Sequence, residues 1–190
     1  MVTGHLGLAF GREGGWRGLI GQALWVLGSV ALAEGAYSKA RRCLQECVEV
    51  YRDIQDREAL GGALAALAYA TRSLGEFAQT RHYLCQALHA AGEIGAFRPA
   101  IMALPALAML LADHGEPERA VELYALAFRY PVVSNSRWFE DVSGKHIAAV
   151  AATLPAQLVA AAQERGRDRD LQTTIAQLLN EFAAQRKPAC

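Results

Sequence analysis

Residues 104–127 read LPALAMLLADHGEPERAVELYALA, and the fold follows from this stretch. Apolar residues at helical spacing run up to Gly115, and a second helical run follows it, so the stretch reads as helix, tight turn, helix. Moved back forty residues it fits again, as LAALAYATRSLGEFAQTRHYLCQA over 64–87. Moved back another forty it fits a third time, as LWVLGSVALAEGAYSKARRCLQEC over 24–47. No gap is needed. Leu24, Leu64 and Leu104 align, as do Leu27, Leu67 and Leu107, followed by the small residues Gly28, Ala68 and Ala108. The turn glycines are Gly35, Gly75 and Gly115. The second run aligns Ala40, Thr80 and Ala120, then Leu44, Leu84 and Tyr124, then Cys47, Ala87 and Ala127. A fixed period of this size is the mark of a stacked array.

Each aligned position has a physical task. Two leucines three apart lie on one helix face and bury against the partner helix. The small residue beside them lets two helix backbones approach. The glycine supplies the left-handed conformation that ends the first helix. Small residues in the second helix let it nest against the next pair. In this order of large, small, turn glycine, small, bulky and small, the chain resembles the tetratricopeptide repeat over roughly residues 18–130. The resemblance implies an all-α, right-handed superhelical α-solenoid of antiparallel helix pairs. It would hold three 40-residue repeats over 16–130, after an N-terminal segment 1–15 and before a diverged fourth pair and capping helix over 131–190, all in one domain. The usual period is about 34 residues. The extra residues fall between Cys47 and Leu64 and between Ala87 and Leu104, which predicts a longer second helix in each unit. Long repeats of this kind are similar to those in the sensor regions of bacterial signal-transduction ATPases and transcriptional activators of the MalT-like type. A HEAT or armadillo solenoid is the competing architecture.

Composition fits a helical chain and excludes several classes. The chain has 190 residues, with 19 Lys plus Arg against 19 Asp plus Glu, so its formal net charge is zero. No global field draws in nucleic acid or an anionic membrane. The apolar run 19–33 is short for a bilayer and carries Gln22. There is no basic segment leading into an apolar run and cleavage site, so no signal peptide is expected and a cytoplasmic location is. Cys43 and Cys47 sit four apart on one helix, a poor disulfide geometry, and with Cys85 and Cys190 they read as reduced structural thiols. A metal site joining Cys43 and Cys47 to Cys85, His82 or His89 is the sharper alternative, and it lacks zinc-type spacing.

Along the chain, HLGLAF can form a short helix that GREGG breaks. Pro99 suits the first turn of the fifth repeat helix, whereas Pro105 removes a hydrogen bond from its interior and should kink it. After Pro131, VVSNS reads as a loop whose Ser or Asn caps a helix starting near Arg137. Gly144 weakens that helix, another runs from Pro155 to Gly166, and RDRD is a charged turn. The last helix carries Leu171, Ile175, Leu178, Leu179 and Phe182 on one face.

No catalytic constellation stands out. There is no phosphate loop, no HExxH and no GxSxG. His114 beside Asp113 and Glu116 reads as a surface pair, and Glu116, Glu118 and Glu122 as favourable charge at a helix start. No enzyme activity and no cofactor or metal are expected.

The expected binding surface follows from the resemblance, in which the first helix of each pair lines a concave groove. The residues placed there are Gln22, Trp25 and Ser29, then Ala65, Tyr69 and Arg72, then Met102, Pro105, Met109 and Asp113. Trp25, Ser29, Ala65 and Tyr69 stand where the family's Lys and Asn carboxylate clamp would be, so that clamp is absent. The ligand-binding candidates are Trp25, Ser29, Tyr69, Arg72, Met102, Met109 and Asp113, partly exposed on one wall with Arg72 as its cation. They imply a non-enzymatic scaffold that takes a predominantly apolar protein or peptide, without direct contact to nucleic acid or membrane. Alternatives are a small-molecule sensor and a homodimer formed through the groove. The same residues could instead be covered by the chain's own Trp138 and Phe139.

Overall fold

The computed structural model describes residues 2–95 and 97–184; Cys190, read above as a structural thiol, lies outside them. Among the described residues every regular element is helical. In order these are α1 (Val2–Gly14), α2 (Arg17–Ala33), α3 (Tyr37–Asp53), α4 (Arg57–Ser73), α5 (Phe77–Ile94), α6 (Arg98–Asp113) and α7 (Pro117–Phe128). A single turn α8 (Pro131–Ser134) follows, then α9 (Arg137–Phe139), a π-helical turn (Glu140–Gly144), α10 (Lys145–Ala151), α11 (Ala156–Asp168) and α12 (Leu171–Ala184).

The turns explain the period. Positive φ occurs at Gly15, Gly35, Gln55, Gly75, Gly95 and Gly115, one residue every twenty. At each of Gly35, Gly75 and Gly115 the glycine N–H and the next N–H reach back to the helix just ended, as in Gly75 N–H to the Arg72 carbonyl (2.9 Å) and Glu76 N–H to the Thr71 carbonyl (2.9 Å). This pair of hydrogen bonds satisfies carbonyls that a helix end would otherwise leave bare. The step of forty is therefore two equal steps of twenty. The second helix is not the long member: α2, α3 and α4 each have 17 residues, α5 has 18 and α6 has 16. The N-terminal segment also differs from expectation, because GREGG does not break the helix and α1 continues to Gly14. Gly4, Gly7 and Gly11 face α2, where a Cβ on Gly4 or Gly11 would come within 2.9 Å of Leu27 or Ile20. Close backbone approach outweighs the poor helix propensity of glycine there.

Consecutive helices pack side by side, and the first helices α2, α4 and α6 also pack on one another as an inner row. Burial follows this placement. In α4 every residue from Gly61 to Thr71 is buried, and in α6 every residue from Pro99 to Leu110. A helix buried all round must be apolar all round. The outer helix α3 instead buries one stripe, Ala40, Leu44, Cys47, Val48 and Tyr51, and shows charge on the other side. The small residue after the paired leucines has its expected role: a Cβ on Gly28 would stand 2.5 Å from Leu44 Cγ. The helix α6 runs unbroken through Pro105.

The C-terminal part folds back over this array. The residues read as a VVSNS loop include the turn α8. Ser136 caps α9 through the Phe139 N–H, and Asp170 caps α12 through the Thr173 N–H. Gly166 is not a helix stop: α11 continues to Asp168, and a Cβ on Gly166 would overlap the Glu122 carbonyl oxygen of α7. RDRD, residues 167–170, is a turn only in part, because Arg167 and Asp168 are the last residues of α11. Arg165 pairs with Glu118 (2.6 Å) and Glu122 (2.9 Å), and Arg169 also pairs with Glu122, so α11 is clamped to α7. The last helix α12 returns onto α5, with Phe182 beneath the Arg81 guanidinium at 5.2 Å.

Candidate functional site

The inner row presents a groove, and its two ends differ. Toward the C-terminal ends of α2, α4 and α6 the groove is covered by α9, the π-helical turn and α10. The Trp138 indole N–H donates to the Ser29 carbonyl at 2.8 Å. Its ring meets Tyr69 edge to face at 5.4 Å between centroids and Phe139 at 4.9 Å. Phe139 stands 6.4 Å from Tyr69. Such T-shaped pairs are favourable beyond the area they bury. The chain's own aromatic pair therefore occupies the place expected for a ligand.

This changes the status of four expected residues. Tyr69 is 3% exposed and Met109 4%, and Ser29 and Met102 are also buried, so none stands partly exposed along one wall as expected, and of the four only Met102 keeps an edge in the open cavity at the other end of the groove. The physical reason is the covering segment, which removes Tyr69 and Ser29 from solvent, together with α6, which is packed on both sides. The Tyr69 hydroxyl donates to the Met102 carbonyl at 3.2 Å, and burial pushes its ionisation well above the ordinary tyrosine range. Ala65 and Pro105 are buried as well.

Arg72 is not a free cation. Its Nε and Nη2 donate to the two carboxylate oxygens of Asp113, each at 2.7 Å. This bidentate pair joins α4 to α6. The same Nη2 reaches His146 Nε2 on α10 at 3.0 Å. A guanidinium only donates, so His146 Nε2 must accept, and the imidazole is neutral with its proton on Nδ1. Burial, then the Arg72 charge, push the His146 ionisation below its ordinary value, and Asp113 pulls it back. Arg72, Asp113 and His146 form a latch that holds the covering segment down.

At the other end the groove stays open. A cavity of about 340 Å³ is lined by Gln22 and Trp25 from α2, Tyr51 from α3, Ala59 and Gly62 from α4, Pro99 and Met102 from α6, and Asp56, Glu58 and Arg98 at its rim. Trp25 is half-buried and lines this cavity as expected of a groove residue. Of the seven candidates, Trp25 and Met102 meet here, while Ser29, Tyr69, Arg72, Met109 and Asp113 lie under or beside the covering segment. Sequence reasoning missed Tyr51, Asp56, Glu58, Gly62 and Arg98, which lie outside the positions the repeat pattern assigns to the groove. Burial pushes the Tyr51 phenol up to about 12, with Cys47 and Asp56 adding to it.

No group of three His, Cys, Asp or Glu side chains among the described residues could hold a metal ion. The Cys47 thiol is pushed to about 12 chiefly by burial, and it donates to the Gly21 carbonyl at 3.2 Å. No described helix is long and apolar enough to cross a membrane. No family model, curated protein or solved structure matches this chain.

Proposed function

We propose that this chain is a non-enzymatic scaffold of the tetratricopeptide-like type, which binds an aromatic or apolar segment of a protein partner in the groove of α2, α4 and α6. The observation that carries this reading is the chain's own Trp138 and Phe139, seated against Ser29 and Tyr69. A groove that accepts one helical aromatic segment through side-chain contacts has the chemistry to accept another. Its walls are helices already packed on both sides, so binding carries little ordering cost. A regulatory sensor module uses such a surface without any catalytic group. The open cavity falls within the range of small-molecule sites, about 300–1,000 Å³, and a metabolite bound there is the second reading.

The test is complementation in trans. A synthetic peptide spanning residues 136–146 is titrated into wild type and into Trp138→Ala, with helicity checked by circular dichroism. The peptide should bind the variant at least about tenfold more tightly than wild type, a difference of about 1.4 kcal/mol. The same peptide with its tryptophan replaced by alanine should not bind. A folded Trp138→Ala protein that ignores the peptide would refute the reading.

A further inference from the structure

The structure assigns a ligand class to the open end of the groove: we propose that it receives an arginine or lysine side chain of the bound partner. This rests on the scaffold reading above and adds to it the chemistry of one subsite. Trp25, Tyr51 and Met102 give the cavity aromatic and thioether walls, while Asp56 and Glu58 stand at its rim. A long cationic side chain has both parts that this arrangement wants. Its methylene stem lies against apolar walls while its head reaches a polar rim. Aromatic faces attract the same cation through their ring quadrupoles.

The floor of the cavity carries an independent observation. Gly62 lies inside α4, where glycine is less favourable than alanine by about 1 kcal/mol. No close contact excludes a side chain there. A Cβ on Gly62 would meet only Met102 Sδ, at an ordinary 3.9 Å. Its neighbour Gly61 is different, because a Cβ there would stand 2.8 Å from Pro99 Cβ. Gly61 is held by packing, whereas Gly62 keeps the cavity floor open.

The charges favour a cation. Asp56 caps α4 with one carboxylate oxygen, accepting the Ala59 N–H at 2.9 Å. Its other oxygen and the Glu58 carboxylate make no ion pair with a described residue. Among the described residues that line the cavity, Arg98 is the one cation, and it makes no ion pair with Asp56 or Glu58. Two carboxylates outweigh one guanidinium, so the cavity presents net negative charge to an entering side chain. Arg98 therefore opposes the proposed ligand, and its removal should help binding.

The experiment titrates three blocked peptides, acetyl-Leu-Arg-Leu-amide and its norleucine and glutamate counterparts, into the full chain. Binding is read from the Trp25 indole resonance by nuclear magnetic resonance. The arginine peptide should shift Trp25 at the lowest concentration and the glutamate peptide at the highest. Glu58→Gln should weaken the arginine peptide by about two- to fivefold and Arg98→Gln should tighten it by a similar factor. Gly62→Ala should raise Tm while weakening binding, a combination that a merely structural glycine does not give. The proposal is overturned if norleucine binds as well as arginine, if glutamate binds best, if Gly62→Ala binds unchanged, or if no peptide shifts Trp25. The 136–146 peptide decides the scaffold reading separately, so it can succeed while this one fails.

Discussion

Replacing Trp138 by alanine tests whether the covering segment is held in the groove by its aromatic pair. Three contributions are lost. The indole N–H to the Ser29 carbonyl, at 2.8 Å, is a neutral hydrogen bond worth about 1 kcal/mol. The edge-to-face contacts with Tyr69 and Phe139 are worth about 0.5–1.5 kcal/mol each. The half-buried ring also loses apolar contact, although less than a fully buried one, for which truncation to alanine costs about 3–5 kcal/mol. Allowing for overlap among these contributions, Trp138→Ala should cost about 2–4 kcal/mol in urea unfolding, within the total of about 5–15 kcal/mol usual for a domain. Trp138→Phe keeps a ring and should cost about half as much. A double-mutant cycle with Tyr69→Leu isolates the ring pair and should return a coupling of about 0.5–1.5 kcal/mol. Trp16→Ala is the control: Trp16 is 62% exposed and its loss should change stability by less than about 0.5 kcal/mol. A Trp138→Ala protein as stable as the control, or a coupling of zero, would refute the groove contact.

Two further outcomes follow from other parts of the fold. Gly166→Ala should destabilise by at least about 1–3 kcal/mol in urea unfolding, because the added methyl collides with the α7 backbone, which is less able to move than a side chain. Equal stability would mean that α11 is not clamped where the Arg165 and Arg169 pairs put it. His146 gives a pH dependence. Its protonation is harder in the folded state than in the unfolded chain, so the folded state loses relative stability as pH falls from about 6.5 toward the depressed folded value. Above that range the contribution is fully present. The groups facing it are Arg72 from α4, Asp113 from α6, Glu34 and Tyr37 beside the α2–α3 turn, and Asp141 and Lys145 near it on its own segment. Subtracting the pH profile of His146→Gln, which still offers Arg72 an acceptor, should leave a loss of stability below about pH 6.5. Parallel profiles would show that the latch does not sense protonation.

The inner architecture was legible because its signals are local. Gly35, Gly75 and Gly115 mark their turns by being the residue type that tolerates positive φ, and the leucine pairs repeat at the same distance. Half of the period is marked unevenly: Gly15 and Gly95 stand at two of the intermediate left-handed turns, and the third is held by Gln55. Gln55 takes a left-handed conformation with φ of 57°, and a glutamine there carries no turn signal. The aligned leucines and glycines repeat at forty, so the residues beyond the usual period are expected in the second helices, whereas first and second helices are nearly equal in length. The site was less legible, since its decisive contacts are long-range. Trp138 lies 109 positions from Ser29, and no pattern in the sequence links them. The Arg72 and Asp113 pair was within reach: residues about one period apart on successive first helices are neighbours, and these two are 41 apart with opposite charge. Gly166 was read by its commonest role, as a terminator, when helix contact with α7 is what requires it.

The constant step between left-handed residues also sets a rule for changes in length. Each step of twenty reverses the direction of the chain, so two steps restore both direction and face. Removing forty residues, from one turn to the equivalent turn two helices later, joins like to like and shortens the array by one pair. Removing twenty would leave each later helix running the wrong way, with its buried side turned outward. Removing a single residue within a helix turns everything beyond it by about 100°, since a helix completes a turn in 3.6 residues. Gain and loss of length in this chain is therefore counted in pairs, and the three-residue turns are where a seam can be cut and rejoined.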